Sequence, residues 1–391
     1  MSEATDLYPG DLLGFANALT PAEVDKIRRL RDFLATEIRP VLAERWEKAA
    51  NLGDFRAGLA RLRLLDDPAL VTEAGAVREL YRGFVTLELS RLDLAVSILY
   101  GGQANMFRTL IHAGGSPEQI AEWDRGILDF TFTGCFALSE PDHGSDIAGG
   151  IETVARRQGD GWILDGEKRW IGNATISDNI VVIAREQGGD RILAFVVPTE
   201  SEGVECRVIE HKAAARMVHN AEVTLRDVHV SETRRLPRIE SFRDVNRAMR
   251  ELRADVAWTA AGMQLGAYDA VLAYATRRTQ FGRPIAGFQL VQEKLVRIVA
   301  NIAQTLSLAS RMAEAPADDV GASLVKIVVA DRLRESVALA RETLGGNGIL
   351  LEHDVARFFV DAEAVYTFEG TREMNTLIVG RAITGLSSFV G

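Results

Sequence analysis

The sequence predicts an α+β chain in the order helices, antiparallel sheet, helices, and three observations carry that prediction. Apolar residues recur with helical spacing to about residue 129, strand-like segments divided by turn clusters fill 131–236, and long amphipathic patterns return after Pro237. The corresponding divisions are an N-terminal helical domain over 1–130, a central β domain over 131–240 and a C-terminal helical domain over 241–391.

The first helix is announced by Thr20, an N-cap followed by Pro21 at the first helical position and by Glu23 close behind. In the central part the segments of strand character are 132–138, 161–164, 180–184, 192–197, 204–208 and 223–230, divided by clusters such as Gly159-Asp160-Gly161 and Gly188-Gly189-Asp190. Short runs with turns between them spell an antiparallel meander, and nothing there suggests parallel βαβ units. Near the C-terminus Leu324, Ile327, Ala330, Leu333, Val337, Ala340 and Leu344 mark one apolar helix face, which Gly345-Gly346 brings to an end. No repeat or low-complexity stretch interrupts this order.

Composition narrows the function. The 391 residues are 47% hydrophobic and 26% charged, an ordinary globular balance that excludes disorder, collagen and coiled coil. A formal net charge of -10 argues against a coat for nucleic acid or for an anionic membrane, so an anionic ligand needs a local basic patch. Cys135 and Cys206 make no disulfide framework and have no metal-type spacing around them. An acidic start, Met1-Ser2-Glu3-Ala4-Thr5-Asp6, and the lack of any apolar stretch of spanning length predict a cytoplasmic protein with no membrane insertion.

Five segments stand out as carriers of chemistry, each with a plainer explanation beside it. Cys135 to Asp146 is an apolar strand running into a turn where hydroxyls and backbone N–H groups converge, although a turn capping a strand accounts for it too, and His143 alone is a solvated turn residue. Gly166-Glu167-Lys168-Arg169-Trp170-Ile171-Gly172-Asn173 puts an aromatic at a strand rim beside a glycine that permits close approach; Trp170 as core is the alternative. In Arg278-Thr279-Gln280-Phe281-Gly282-Arg283-Pro284-Ile285 the first arginine is either poised for phosphate or a helix-end cation. Arg234, Arg235, Arg238, Arg243, Arg247, Arg250 and Arg253 form either a solvated face or a phosphate site. Gly345-Gly346-Asn347-Gly348 admits a phosphate or ring as readily as it caps a helix. In Phe368-Glu369-Gly370-Thr371 the carboxylate of Glu369, among Val365, Tyr366 and Phe368, is suited to a raised pKa and the role of a base.

The joint order and spacing of these segments resemble the flavin-dependent acyl-CoA dehydrogenases over nearly the whole chain. The most specific matches are Ala137-Leu138-Ser139-Glu140-Pro141 with Gly144-Ser145-Asp146, Arg278 with Phe281-Gly282, Gly345-Gly346-Asn347-Gly348, and Glu369-Gly370-Thr371. The run from Glu363 to Gly385 is most similar to the glutaryl-CoA dehydrogenase branch, whereas Lys168 to Asn173 with Arg216-Met217-Val218 is similar to plant short-chain acyl-CoA oxidases. The resemblance implies a helical domain, a β domain and a C-terminal four-helix domain, assembled as a homotetramer with FAD between domains and subunits. It implies that Phe136, Ala137, Leu138, Ser139, Trp170, Ile171 and Gly172 border the flavin ring and that Ser145 lies near the pyrophosphate and ligand entrance. Arg278, Phe281, Gln289, Glu342 and Gly346 are implied to contact the FAD of a neighbouring subunit, and Thr371 to help hold FAD. On the substrate side it implies Ser145, Ser97, Arg253 and Gly370, with Glu369 as catalytic base.

Departures from the family pattern refine the expectation. Gly172 stands where a threonine is usual, so a hydroxyl near the flavin is missing; Glu342 stands where glutamine is common. Ser97 occupies the place of the arginine that pairs with the distal carboxylate in glutaryl-CoA dehydrogenases, which argues against a dicarboxylyl substrate. Some members carry the base on the long C-terminal helix, and there Glu251 is one residue away from the required position, Leu252. The expectation is FAD-dependent α,β-dehydrogenation of a short-chain acyl-CoA to the trans-2-enoyl-CoA in fatty acid β-oxidation, with electrons passed to an electron-transferring flavoprotein. The alternatives are a short-chain acyl-CoA oxidase, a glutaryl-CoA dehydrogenase, or a non-catalytic flavin- and CoA-ester-binding oligomer, against which the intact Glu369 argues.

Overall fold

The computed structural model describes residues 7–315 and 318–387, with the side chain of Glu251 outside that description. Helices α1 (Pro21–Phe33), α2 (Leu42–Glu47), α3 (Arg56–Arg61), α4 (Glu79–Leu92), α5 (Leu94–Gly101), α6 (Arg108–Gly114) and α7 (Pro117–Leu128) form the first layer. The expected cap starts α1: the Thr20 side chain accepts from the Glu23 N–H while Glu23 reaches back to the Thr20 N–H, a capping box. Between α5 and α6 the helix widens into a π-turn over Gly102–Phe107, whose Asn105 and Gln103 turn inward.

The sheet contains β1 (Gly134–Ala137), β2 (Val154–Gln158), β3 (Gly161–Gly172), β4 (Asn179–Glu186), β5 (Ile192–Pro198), β6 (Val204–Val208) and β7 (Asn220–Ser231), with the one-turn helix α8 (Ile147–Gly150) between β1 and β2. β2–β3, β3–β7, β7–β6 and β4–β5 are antiparallel, as expected. Two pairings are not. β1 (Gly134↔Asn179 to Ala137↔Val182) and β2 (Val154↔Arg185) both run parallel to β4, end to end along one of its edges. The reason is the excursion over 138–153: it leaves the edge of β4 and returns to it, so the chain resumes in the same direction. Alternation of apolar residues reports which face is buried and is silent on this direction. β2 escaped the sequence reading because Arg156 and Arg157 dilute its apolar alternation.

Beyond the sheet come α9 (Phe242–Arg277), a hairpin of β8 (Thr279–Gln280) and β9 (Arg283–Pro284), α10 (Gln289–Glu314), α11 (Asp319–Thr343), α12 (Val355–Thr367) and α13 (Arg372–Thr384). The 36-residue α9 is the central post and packs along α4. A Cβ at Gly262 would lie 2.3 Å from the Leu87 carbonyl oxygen and one at Gly266 2.2 Å from that of Arg91. Backbone therefore meets backbone there, and any side chain would force the helices apart. On α11 the expected face is buried at Ala330, Leu333, Val337, Ala340 and Leu344; near the start of the helix Val325 and Val329 are buried instead, Ile327 is half-buried and Leu324, expected inside, is exposed. Among the described residues no helix is long and apolar enough to cross a membrane.

Charged groups buried between the domains fix their mutual position. Glu88 of α4 accepts from Arg31 of α1 (2.8 and 2.7 Å) and Arg91, which also pairs with Asp269 of α9 at 2.6 Å. Arg357 of α12 bonds Asp93 at 3.0 Å and Asp354 at 2.7 Å, and Asp361 accepts the Ala215 N–H from the loop after β6. Within the β domain, Lys168 and Glu140 form a pair at 2.8 Å with Lys168 fully buried. Glu140 also accepts the N–H groups of Glu152 and Thr153, and Lys168 donates to the Leu138 carbonyl. Burial pulls the ammonium down to about 8 against the pull of Glu140. This pair anchors the 138–140 turn to β3. Lys168→Met leaves a buried carboxylate without its cation, a loss of about 3–5 kcal/mol. Its denaturant midpoint should drop accordingly, with most of the loss recovered in the Lys168→Met/Glu140→Gln double variant.

Candidate active site

The rim of the sheet is built from β1 and the bulged end of β3. The register of β3 on β7 shifts between Lys168 and Ile171, and Trp170 takes a left-handed conformation (φ 66) that turns its indole outward, 53% exposed. The guanidinium of Arg169 lies over that ring at 5.5 Å. The Ser139 hydroxyl donates to the Arg169 carbonyl at 2.6 Å, and the Arg169 N–H donates to the Ser139 carbonyl at 2.9 Å. Phe136, Leu138, Ser139 and Gly172 are half-buried, while Ala137 and Ile171 are covered. A Cβ at Gly172 would have its nearest neighbours at 3.8 Å (Asn220) and 3.9 Å (Val218), so the space beside it admits a larger residue. Ser145 lies exposed in the turn that His143 and Asp146 close with a 2.8 Å contact.

A second group sits at the ends of the C-terminal helices. Arg278 caps α9, Phe281 stands 93% exposed at the tip of the β8–β9 hairpin, and Gln289 opens α10. Glu342, near the end of α11, is paired with Lys294 of α10 at 2.7 Å, and that cation holds its carboxyl below the usual range. Gly346 has open space around it. No hydrogen bond or ion pair joins this group to the sheet rim among the described residues. A cleft of about 580 Å³ opens between the end of α9 and the loop before α12, and of the expected site residues only Arg278 lines it.

The third group is the turn between α12 and α13. Glu369 (φ 57) and Gly370 (φ 85) are both left-handed, a reversal that glycine tolerates and a glutamate adopts only under constraint. The constraint comes from both sides. The Thr371 hydroxyl caps α13 by accepting the Met374 N–H, and buried Asn375 donates to the Gly370 and Thr371 carbonyls at 2.9 and 3.0 Å. On the other side Lys326 of α11 donates to the carbonyls of Val365 and Phe368. Glu369 is only half-covered by area, yet protein crowds it closely enough that desolvation dominates and raises its pKa. Lys326 opposes that rise, Asp255 adds to it, and Arg253 opposes it. Neither the Glu369 carboxylate nor its backbone N–H makes a hydrogen bond among the described residues. A poorly solvated carboxylate with unoccupied lone pairs beside a free N–H donor is equipped to remove a proton next to a carbonyl.

Of the other expected residues, Ser97 is buried in α5 and Arg253 is half-buried on α9, sharing Asp319 with Arg250 at 3.1 and 2.9 Å. The arginine run is spread over internal partners: Arg234 donates to Asn179, Arg235 pairs with Glu232 and Arg247 with Asp244. Leu252 is buried, and the side chain of Glu251 lies outside the described residues. Sequence reasoning missed Lys326 and the cluster in which Asp255 accepts from Arg82 and Asn105, each at 3.0 Å. A lysine at the core spacing of an apolar helix was a readable signal for the first. Among the described residues no group of His, Cys, Asp and Glu is arranged to hold a metal ion.

Three family models cover the chain in the order of its layers. The acyl-CoA dehydrogenase N-terminal domain matches residues 21–130, the middle domain 135–228 and the C-terminal domain 242–384. A solved glutaryl-CoA dehydrogenase from Mycobacterium smegmatis in complex with FADH2 superposes with a TM-score of 0.88 at 30% identity, over 98% of this chain and 100% of that one. Among curated proteins, the 3-(aryl)acrylate reductase of Clostridium sporogenes is 30% identical over 90% of this chain and 96% of its own length. The mitochondrial short-chain specific acyl-CoA dehydrogenase of Mus musculus is 28% identical over 89% of this chain and 87% of its own.

Proposed function

The chain belongs to the acyl-CoA dehydrogenase family, whose members are FAD-dependent oxidoreductases acting on CH–CH bonds, and from that premise we propose that it oxidises a short-chain acyl-CoA to the trans-2-enoyl-CoA and passes the electrons to an electron-transferring flavoprotein. The observation that carries this reading is Glu369: a poorly solvated carboxylate with no hydrogen-bond partner among the described residues, next to a backbone N–H equally without one, on a turn held from both sides.

The residues at the sheet rim fit a large planar cofactor. A tryptophan forced outward by a bulge, half-buried Phe136 and Leu138 beside it, and open space at Gly172 leave a surface that a ring system can cover. We assign Phe136 to Ser139 and Trp170 to Gly172 to the ring, with Ser145 and Thr371 on the phosphate and ribityl side. Arg278 and Gln289 at helix ends and Phe281 at the hairpin tip face outward, as suits a contact with the FAD of a neighbouring chain in a homotetramer, and Gly346 is open in the same manner. Glu342 is engaged with Lys294 and would have to release it to join them.

When bound, FAD supplies the acceptor for the β hydrogen and its electron pair. The chain's own part is proton chemistry. The thioester carbonyl oxygen gains negative charge as the α C–H breaks, and the Glu369 N–H is the donor positioned to meet it. A Glu369 carboxylate oxygen takes the α proton, its basicity raised because burial penalises the ionised form. Arg253 supports the CoA portion from α9, and Gly370, left-handed like Glu369, borders the substrate beside the base.

Glu369→Gln should therefore retain FAD and bind acyl-CoA but lose at least about a hundredfold of the reductive rate; flavin bleaching at the wild-type rate would move the role to another carboxylate. Substrate choice follows from Ser97, a buried neutral residue that gives a distal carboxylate no counter-charge. Butyryl- or isobutyryl-CoA should exceed glutaryl-CoA in kcat/KM, and efficient oxidation with decarboxylation of glutaryl-CoA would contradict the assignment. The open space at Gly172 favours one second reading, an oxidase, because oxygen has room there. Stopped-flow mixing of reduced enzyme with aerated buffer or with an electron-transferring flavoprotein separates the two. Rapid transfer to the flavoprotein with slow reaction toward oxygen is expected, whereas reoxidation by oxygen at the turnover rate, slowed in Gly172→Thr, would make the enzyme an oxidase.

A further inference from the structure

Lys326 sits in the run Leu324-Val325-Lys326-Ile327-Val328, on the face of α11 that buries Ala322, Val329, Ala330 and Leu333, and it is 4% exposed. A buried ammonium needs a compensating partner. Among the described residues it has no carboxylate within ion-pair distance; its partners are the Val365 and Phe368 carbonyls, the latter at 2.9 Å, and the Phe368 ring at 5.4 Å. The Val365 carbonyl belongs to the last turn of α12, where helix carbonyls lack intrahelical donors and the helix dipole presents its negative end, and Phe368 is the extended residue that follows the helix. The next residue in the chain is Glu369.

We propose that Lys326 is the positioning residue of Glu369: its ammonium ties off the end of α12 so that Glu369 is held in its left-handed turn, and its charge sets the basicity of the carboxylate without bonding to it. The proposal rests on the reading of Glu369 as the base. The arrangement answers a conflict in the chemistry. A fully desolvated carboxylate with no cation nearby would be protonated at neutral pH and useless as a base, while a direct ion pair would occupy the lone pairs and weaken its basicity. A cation spent on backbone carbonyls supplies the field and leaves the lone pairs open. The charged groups that face Glu369 are Lys326 from α11 and Asp255 and Arg253 from α9. Asp255 is paired with Arg82 of α4 and Arg253 with Asp319, so that of the two cations Lys326 is the one with no acidic partner of its own among the described residues. Burial pulls Lys326 down to about 8, and Glu369 holds it up against that pull, so each group sustains the ionised form of the other.

Tether and charge are separable by substitution in the FAD-loaded enzyme. Lys326→Arg keeps both, Lys326→Gln keeps donors but no charge, and Lys326→Met keeps neither. The protonation midpoint of Glu369 is read by infrared difference spectroscopy in the absence of substrate, from the carboxylate band that Glu369→Gln lacks, and the reductive half-reaction is followed against pH. Lys326→Gln should raise the midpoint by about one pH unit or more, a tenfold or greater gain in proton affinity, while its limiting rate at high pH stays close to wild type. Lys326→Met should show the same rise and lose a further tenfold or more, roughly, of the limiting rate as the turn loosens. Lys326→Arg should restore both. A wild-type midpoint in Lys326→Gln, with Glu369→Gln inactive, overturns the proposal while sparing the base. Loss of rate in all three variants with no shift of midpoint also overturns it, since that is the signature of packing alone. A Glu369→Gln enzyme of wild-type rate removes the base reading itself, and the proposal with it. Should Lys326→Met fail to fold, the Gln and Arg variants decide the question by their midpoints.

Discussion

The proposed role of Glu369 as a base sets the constraint on which this account of the molecule turns: such a carboxylate must be dry enough to be basic and yet ionised enough to act. Water would satisfy Glu369 and blunt it; an ion pair would satisfy it and block it. The protein resolves the conflict by putting the residue at the joint between α12 and α13, in a conformation that a glutamate does not choose for itself, and by tying the joint through Lys326 before it and Thr371 and Asn375 after it. The groups whose fields reach the carboxylate stand on α9 and α11, two helices whose places are fixed by packing. Strain in the turn is thus sustained by tertiary structure.

The same economy appears at the domain boundaries. Gly262 and Gly266 let α9 lie backbone to backbone against α4, and the Arg31–Glu88–Arg91–Asp269 chain of charges locks that seam. Asp93, Arg357 and Asp354 bind the N-terminal helices to α12, while Asp361 holds the loop at Ala215 against the same helix. On the sheet, the buried Glu140–Lys168 pair sets the height of the 138–140 turn relative to the bulge at Trp170. Rim, long helices and the Glu369 turn come from different parts of the chain, so their spacing depends on these buried charges as much as on apolar packing.

Much of this was legible in the sequence because it is periodic or local. Helical spacing gave the outer layers, turn clusters divided the strands, and Thr20-Pro21 with Glu23 marked a helix start that the structure places there and closes with a capping box. Glu369 between Phe368 and Gly370 carried its own signal, since a charge between an aromatic and a glycine demands a reason. What stayed hidden is relational. The parallel pairing of β1 and β2 with β4 depends on where an excursion returns, and β2 was masked by Arg156 and Arg157. The α11 face was right from Ala330 to Leu344 and wrong only near its start, where Leu324 points outward and Lys326, the buried charge close by, went unremarked. The arginine run looked like one feature and dissolved into separate pairs once the fold supplied partners.

The central claim is that this site removes the α proton of an acyl thioester in concert with reduction of the bound flavin, and anaerobic titration of the purified holoenzyme with butyryl-CoA tests it most directly. The account predicts bleaching of the flavin absorbance in proportion to added substrate, with trans-2-enoyl-CoA recovered from the mixture. Binding of acyl-CoAs across a range of chain lengths with the flavin left oxidised would contradict it.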